Sequence, residues 1–201
     1  MASDRQCPRH EAPCQLGVKG LVVPATRLED LDDCVRLAEA HEDVWAAVGF
    51  HPHEAKDFDA SAEARVEHLA KHPRVVAIGE IGLDYHYDYS AREVQRRVFA
   101  LQLAIAKRAG LPVVIHNRES TSDLVSILES DDATGVRGVL HSFTESYDVA
   151  ARLVERGFFI SFSGILTFRS ADSLREVARR LPHDRILIET DTPYLAPVPH
   201  R

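Results

Sequence analysis

Cysteine is scarce in this 201-residue sequence, and the three cysteines form neither a metal-binding pattern nor a disulfide pattern. Cys7, Cys14 and Cys34 are odd in number, and no two of them are spaced as CxxC. Disulfide frameworks and zinc knuckles are built from cysteines paired at short, regular spacings, so both are disfavoured here. We therefore expect free thiols in a reducing compartment.

Long hydrophobic runs are also missing. No apolar stretch approaches the ~18 residues that a membrane-spanning helix needs, and residues 1–15 lack the apolar core of a secretory signal. A cytoplasmic protein with no membrane partner is therefore expected.

Positive charge is in deficit as well, because the formal net charge is −7. A broad, non-specific face for duplex DNA is disfavoured, since such faces are basic. A metal cluster can still create a local anion site inside an acidic protein. Charge alone therefore leaves a nucleic-acid substrate open.

What the sequence does contain is a regular alternation of apolar strands and amphipathic helices. Seven short apolar runs are predicted to be strands, at residues 20–24, 44–50, 75–78, 113–115, 138–140, 158–163 and 186–188. Continuous apolar strands separated by helices are typical of parallel βαβ units with both sheet faces covered. We predict an irregular segment over residues 1–16 and a single α/β domain over residues 17–201.

Helix ends are indicated by capping residues. Thr26 is a candidate N-cap for a helix through about His41. Ser90 and Glu93 have the S-x-x-E spacing of a capping box, and Gly110 is placed to end the long helix that follows.

Four of the predicted strands finish with a side chain that can bind a metal ion: Glu80, His116, His141 and Asp191. Each has a plainer interpretation: the glutamate as a turn cap, the histidines as hydrogen-bonded residues and the aspartate as a turn former. Four such residues at equivalent positions together predict a metal site. Side chains from the ends of several strands converge only if the strands surround a common axis, which favours a TIM-type β/α barrel over an open doubly wound sheet.

The sequence resembles a known protein family. The segments that carry the resemblance are GxHPH at 49–53, GEIGLDY at 79–85, VIHNRES at 114–120, LHSFTES at 140–146, FISFSGILTF at 159–168 and ETDTPYLAPVPHR at 189–201. Over residues 17–201 the chain is similar to the TatD family of metal-dependent deoxyribonucleases. The resemblance implies a metal-dependent hydrolase barrel that acts on nucleic-acid phosphodiesters, often as an exonuclease on single-stranded DNA.

The resemblance also implies residue roles. Glu80 is expected to be the carboxylate shared by two metal ions, with His116 and His141 as ligands of one ion. Asp191 is expected to bind the other ion and to accept a proton from the attacking water, so that Glu80 and Asp191 are the catalytic residues. Zinc, manganese and magnesium all stay open as the metal, because imidazoles suit first-row ions and oxygen-rich sets suit magnesium.

Four further residues are candidates for contact with the substrate. Arg118 lies two residues beyond a predicted ligand and can form a forked contact with a phosphate oxygen. His51, His53 and Arg201 are weaker candidates, and each could instead be a solvated loop residue.

The sequence departs from the family pattern at both ends. Family members open with a strand that carries an H-x-H ligand pair, whereas His10 stands alone here, and a helical segment that follows Arg201 in relatives is missing. These differences predict an incomplete barrel with about seven of eight strands, one weakly held metal ion and self-association through the open seam. A catalytically impaired metal-binding or partner-binding relic, or a hydrolase of another ester or amide such as D-aminoacyl-tRNA, stays an alternative.

Overall fold

The computed structural model describes residues 18–87, 89–191 and 194–200. The predicted irregular segment 1–16, with its two cysteines and His10, lies outside the described residues, and so does Arg201. Cys34 lies within them and is a buried free thiol, which agrees with the prediction.

The described residues contain one parallel sheet of seven strands. The strands are β1 Leu21–Pro24, β2 Val44–Val48, β3 Val75–Asp84, β4 Val113–Arg118, β5 Gly138–Leu140, β6 Phe159–Phe162 and β7 Ile186–Ile188. They pair strictly in chain order from β1 to β7. A doubly wound sheet would reverse its order at a switch point, so the sequential order confirms the predicted α/β barrel type, here a curled half-barrel.

Six α-helices in the described part of the chain alternate with these strands. They are α1 Leu28–Ala40, α2 Ala60–Leu69, α3 Arg92–Ala109, α4 Thr121–Leu128, α5 Tyr147–Glu155 and α6 Asp172–Arg180. Short 3-10 helices lie at Pro52–Asp57, Asp131–Ala133, Gly164–Thr167 and His183–Arg185. None of the helices that the structure describes is long and apolar enough to cross a membrane.

Both faces of the central strands are covered. Ala46, Ala47 and Val48 are consecutive residues of β2 and are each 0% exposed, although neighbours along a strand point to opposite faces. The longest helix, α3, buries Val98 and Phe99 against the sheet. Each large apolar side chain buried in this way contributes about 1.5–3 kcal/mol.

The predicted N-cap at Thr26 is wrong. The first helix begins at Leu28, and the Thr26 hydroxyl instead donates to Asp30 Oδ2 at 2.7 Å. The predicted capping box is also wrong, because α3 begins at Arg92 with no side-chain cap. The Ser90 hydroxyl donates to the backbone oxygen of His53 at 2.8 Å, so a tertiary contact has displaced the local one. Gly110 does end α3, with φ of 68°.

Within the described residues, β1 and β7 are the edge strands of the half-barrel. Among the described residues β1 pairs with β2 alone and β7 with β6 alone, as the prediction of an incomplete barrel requires. Apolar side chains on these edge strands are exposed: Val22 by 52%, Leu187 by 43% and Ile188 by 87%. An exposed, unpaired strand edge of this kind is a surface on which another strand can add.

Candidate metal centre

A cavity of about 860 Å³ opens at the carboxyl ends of the strands. All the predicted site residues within the described part of the chain line it: His51, His53, Glu80, His116, Arg118, His141 and Asp191. Arg201 lies outside the described residues. The fold therefore brings together the side chains that were predicted to converge from the strand ends.

Glu80 lies within a strand rather than after one, contrary to the prediction. Pairing between β3 and β4 shifts register between Ile78 and Ile81, and then continues to Asp84. Glu80 is the residue before the pairing resumes, and its backbone nitrogen donates to the oxygen of Ala25 at 3.1 Å. The irregularity directs the carboxylate into the cavity without ending the strand.

Three imidazoles surround one oxygen of Glu80. Oε1 lies 3.2 Å from His116 Nδ1, 3.8 Å from His51 Nε2 and 3.8 Å from His141 Nε2. The ligand atoms of His51, Glu80 and His116 all lie within 4.8 Å of one another, which is close enough for a single ion. Two histidines and a glutamate are a donor set known to hold catalytic zinc, so these residues fit a divalent cation.

His51 belongs to this group although the sequence indicated only a substrate contact. Strand β2 ends at Val48, and His51 follows it after Gly49 and Phe50. This is the same position, at the carboxyl end of a strand, from which the other candidates were inferred. The signal was therefore present in the sequence, in the His-Pro-His turn.

His141 is held from both sides of its ring. Its Nδ1 lies 2.8 Å from Glu189 Oε1, and its Nε2 lies 3.5 Å from Asp191 Oδ1. Glu189 is fixed in turn, because it accepts from the backbone nitrogen of Ser142 and from the hydroxyl of Ser161, each at 2.7 Å. Burial lowers the pKa of His141, but Asp191 and Glu189 outweigh burial and raise the pKa to about 10.

Asp84 connects His53 to His116, and no pattern in the sequence singled it out. Its side chain is 1% exposed, and Oδ2 lies 3.0 Å from His53 Nε2 and 3.0 Å from His116 Nε2. Oδ1 accepts from the backbone nitrogens of His86 and Tyr87 at 2.9 and 3.1 Å. A carboxylate on the far nitrogen of a ligand histidine fixes the ring orientation, and Asp84 is placed to hold the His116 ring in this way.

The electrostatics suit a cation. Burial raises the pKa of Glu80, but the His116 hydrogen bond and the charges of His141 and His51 outweigh burial and lower the pKa to about 2. Burial and the neighbouring His116 lower the pKa of His51 to about 3, so its ring is neutral near pH 7. Burial opposes charge on His116, yet its bonds to Asp84 and Glu80 raise its pKa. A metal ion binds the deprotonated ring, so a proton and a metal ion compete for His116.

Two buried glutamines on α3 anchor the strand ends that carry this cluster. Gln95 accepts from the backbone nitrogen of Asp84 at 2.8 Å and donates to its oxygen at 2.9 Å. Gln102 makes the same pair of contacts with Phe50, at 2.8 and 3.1 Å. Because both strand ends are bonded to one helix, His51 and Asp84 are held at a fixed separation.

The family profile described as TatD related DNase matches residues 4–201. The chain belongs to the TatD family. The match confirms the resemblance found in the sequence and begins earlier than residue 17.

Curated TatD relatives are described as metal-dependent hydrolases. The uncharacterized metal-dependent hydrolase YabD of Bacillus subtilis is 41% identical over 184 residues, which cover 92% of this chain and 72% of the relative. YcfH of Escherichia coli K12, described in the same words, is 42% identical over 185 residues, or 92% of this chain and 69% of the relative. A Shigella flexneri relative, described as a 3'-5' ssDNA/RNA exonuclease, is 37% identical over 184 residues, or 90% of this chain and 70% of the relative.

Solved structures agree with this assignment. The crystal structure of YjjV, a TatD homologue from Escherichia coli K12, superposes with a TM-score of 0.86 at 33% identity, covering 92% of this chain and 72% of YjjV. A phosphotriesterase homology protein from Escherichia coli has a TM-score of 0.63 at 13% identity, covering 90% and 70% of the two chains, and shares the fold alone. The chain is therefore a metal-dependent hydrolase of the TatD family.

Proposed function

We propose that this TatD-family hydrolase removes nucleotides from an end of single-stranded nucleic acid by cleaving phosphodiester bonds. The observation that carries the proposal is the group of His51, Glu80 and His116 at the base of an open cavity, with His141 and Asp191 beside it. The Shigella relative described as a single-strand exonuclease supports the substrate class.

We assign the metal ligands differently from the first expectation. Glu80 with His51 and His116 is proposed to hold one ion, because these three offer the most compact donor set. His141 and Asp191 are proposed to hold the second, because His141 Nε2 lies 3.8 Å from Glu80 Oε1 and 3.5 Å from Asp191 Oδ1. His51 supplies an imidazole that the ligand set predicted from the sequence omitted.

The remaining roles follow from the positions of the side chains. A divalent ion, when bound, supplies an acidified water and a polarised phosphoryl oxygen. Asp191 is proposed to accept the proton of that water, and Arg118 to pair with a phosphate oxygen. The three imidazoles around Glu80 favour Zn²⁺ over Mg²⁺ as the ion.

The test is digestion of end-labelled single-stranded DNA after removal of metal with EDTA and addition of Zn²⁺, Mn²⁺ or Mg²⁺. We expect no cleavage with EDTA and stepwise shortening from one end once an ion is restored. A circular single strand of the same sequence is the control, and it should resist digestion.

Three results would count against the proposal. Equal cleavage of the circular strand would contradict an exonuclease. Tight metal binding without cleavage of any nucleic acid would favour the impaired metal-binding relic. Faster hydrolysis of D-aminoacyl-tRNA than of DNA would favour the other ester or amide substrates.

We also propose that the open edges mediate self-association of this chain. Ile188 is 87% exposed on the edge strand β7, and pairing with a second copy would cover it. Replacing it with aspartate should weaken the dimer at least about tenfold, because covering an isoleucine is worth about 1.5–3 kcal/mol. Sedimentation velocity over a range of concentrations measures the shift.

The control for Ile188→Asp is Ala64→Asp, which adds the same charge to an exposed position of α2. It should leave the mass distribution unchanged. A wild-type chain that sediments as a monomer at every concentration would contradict the proposal.

We propose in addition that residues 17–201 act as one barrel domain in the cytoplasm, where the free thiol of Cys34 would stay reduced.

A further inference from the structure

Two exposed tyrosines lie side by side at the rim of the cavity. The rings of Tyr87 and Tyr89 are parallel, with centroids 5.3 Å apart and an angle of 5° between their planes. Both rings line the cavity, and they are 38% and 57% exposed. Large aromatic surfaces that remain open to solvent next to a cavity are available to a ligand.

The pair, called here the tyrosine platform, is connected to the metal-binding group. The His53 ring meets both tyrosines edge-on, with centroids 5.4 Å from Tyr87 and 4.9 Å from Tyr89. His53 is fixed by the Asp84 oxygen that also lies 3.0 Å from His116. One buried carboxylate therefore sets the orientation of the ring beneath the platform and of a candidate metal ligand.

A positive charge accompanies the platform. The guanidinium carbon of Arg118 lies 5.0 Å from the centroid of the Tyr87 ring, and the side chain is exposed at the cavity. Sites for single-stranded nucleic acid combine these two elements: aromatic faces on which bases stack, and cationic groups that follow the backbone.

We propose that the tyrosine platform is a base-stacking subsite for the nucleotide next to the cleaved phosphodiester, with Arg118 on the adjoining phosphate. The inference rests on the proposed function and specifies how the substrate is held. Every base has an aromatic face, so such a subsite accepts any sequence. A paired base is already stacked and bonded within its duplex, so the subsite selects strands with an unpaired end.

Binding is tested with a phosphorothioate oligonucleotide that carries 2-aminopurine as its terminal base, in the presence of Mn²⁺. Stacking on the platform should quench the 2-aminopurine fluorescence. The double variant Tyr87→Ala/Tyr89→Ala should lose the quenching and bind about tenfold more weakly, as expected for loss of base stacking. Tyr87→Phe/Tyr89→Phe keeps both aromatic faces and should retain quenching and affinity, which also controls for folding.

A matched control is Tyr147→Ala, which removes a ring that packs against Arg180 away from the cavity. It should bind and quench as wild type does. Quenching and affinity that persist in the double alanine variant would overturn the subsite.

Hydrolysis distinguishes failure of the subsite from failure of the proposed function. A strand with a normal terminal base should have a kcat/KM about tenfold higher than the same strand ending in an abasic nucleotide. Equal values would overturn the subsite while leaving the nuclease intact. Quenching with no hydrolysis of either strand would overturn the nuclease while leaving a base-stacking site.

Discussion

Replacing Glu80 with glutamine is expected to reduce metal binding and metal-dependent hydrolysis by at least about a hundredfold. Loss of a residue that only orients a metal ligand costs about 10–100-fold, and Glu80 is proposed to be the central oxygen donor of the group. One of its oxygens lies within 3.8 Å of nitrogens of His51, His116 and His141. A neutral amide of the same shape removes the negative charge that would attract a divalent ion to these imidazoles.

Isothermal titration with Zn²⁺ or Mn²⁺ and the rate of strand shortening measure the two effects. Glu155→Gln is the matched control, since this glutamate is exposed at the end of α5. It should match wild type in both assays. Wild-type metal affinity in Glu80→Gln would show that the ion does not use this carboxylate.

Replacing Gly82 with alanine is expected to destabilise the fold by about 3–5 kcal/mol, since it combines a strained backbone with a steric clash. Gly82 has a φ of 140°, which side chains of L-residues rarely adopt. An added Cβ would lie 2.0 Å from the backbone oxygen of His116. The two residues are register partners in β3 and β4, so the strands must separate to accept the methyl group.

Gly110→Ala isolates the clash from the backbone conformation. Gly110 also has a positive φ, of 68°, but an added Cβ there meets nothing within 4 Å. Gly110→Ala should lower the free energy of unfolding by about 1–2 kcal/mol, which is the cost of a left-handed conformation alone. Urea unfolding of both variants supplies the comparison, and equal losses would mean that the contact between β3 and β4 relaxes freely. The Gly82 variant should also bind metal more weakly, because its clash displaces His116.

Most of the strand pattern was predictable because each strand is a short apolar run. Both faces of β2 are covered, so its apolar character is continuous in the sequence. The choice of a barrel rested on side chains rather than on periodicity: Glu80, His116, His141 and Asp191 could meet only around a common axis. The sequential strand order and the shared cavity agree with that argument.

What the sequence did not reveal depends on contacts between distant residues. Asp84 sits in a Gly-Leu-Asp-Tyr stretch that resembles a turn, and its importance arises from His53 and His116, 31 and 32 residues away. Ser90 matched a local capping pattern, but the oxygen of His53 is a better partner for its hydroxyl. The register shift beside Glu80 depends on β4 and leaves no sign in the periodicity of β3.

The paired glutamines of α3 have a consequence for how the open half-barrel moves. Gln95 and Gln102 are seven residues apart, about two helical turns, and both are 1% exposed. We expect any fraying at the edge strands β1 and β7 of the described residues to stop short of the strand ends that these glutamines hold. We therefore expect the edge strands of the half-barrel to open locally while the spacing between His51 and Asp84 is preserved.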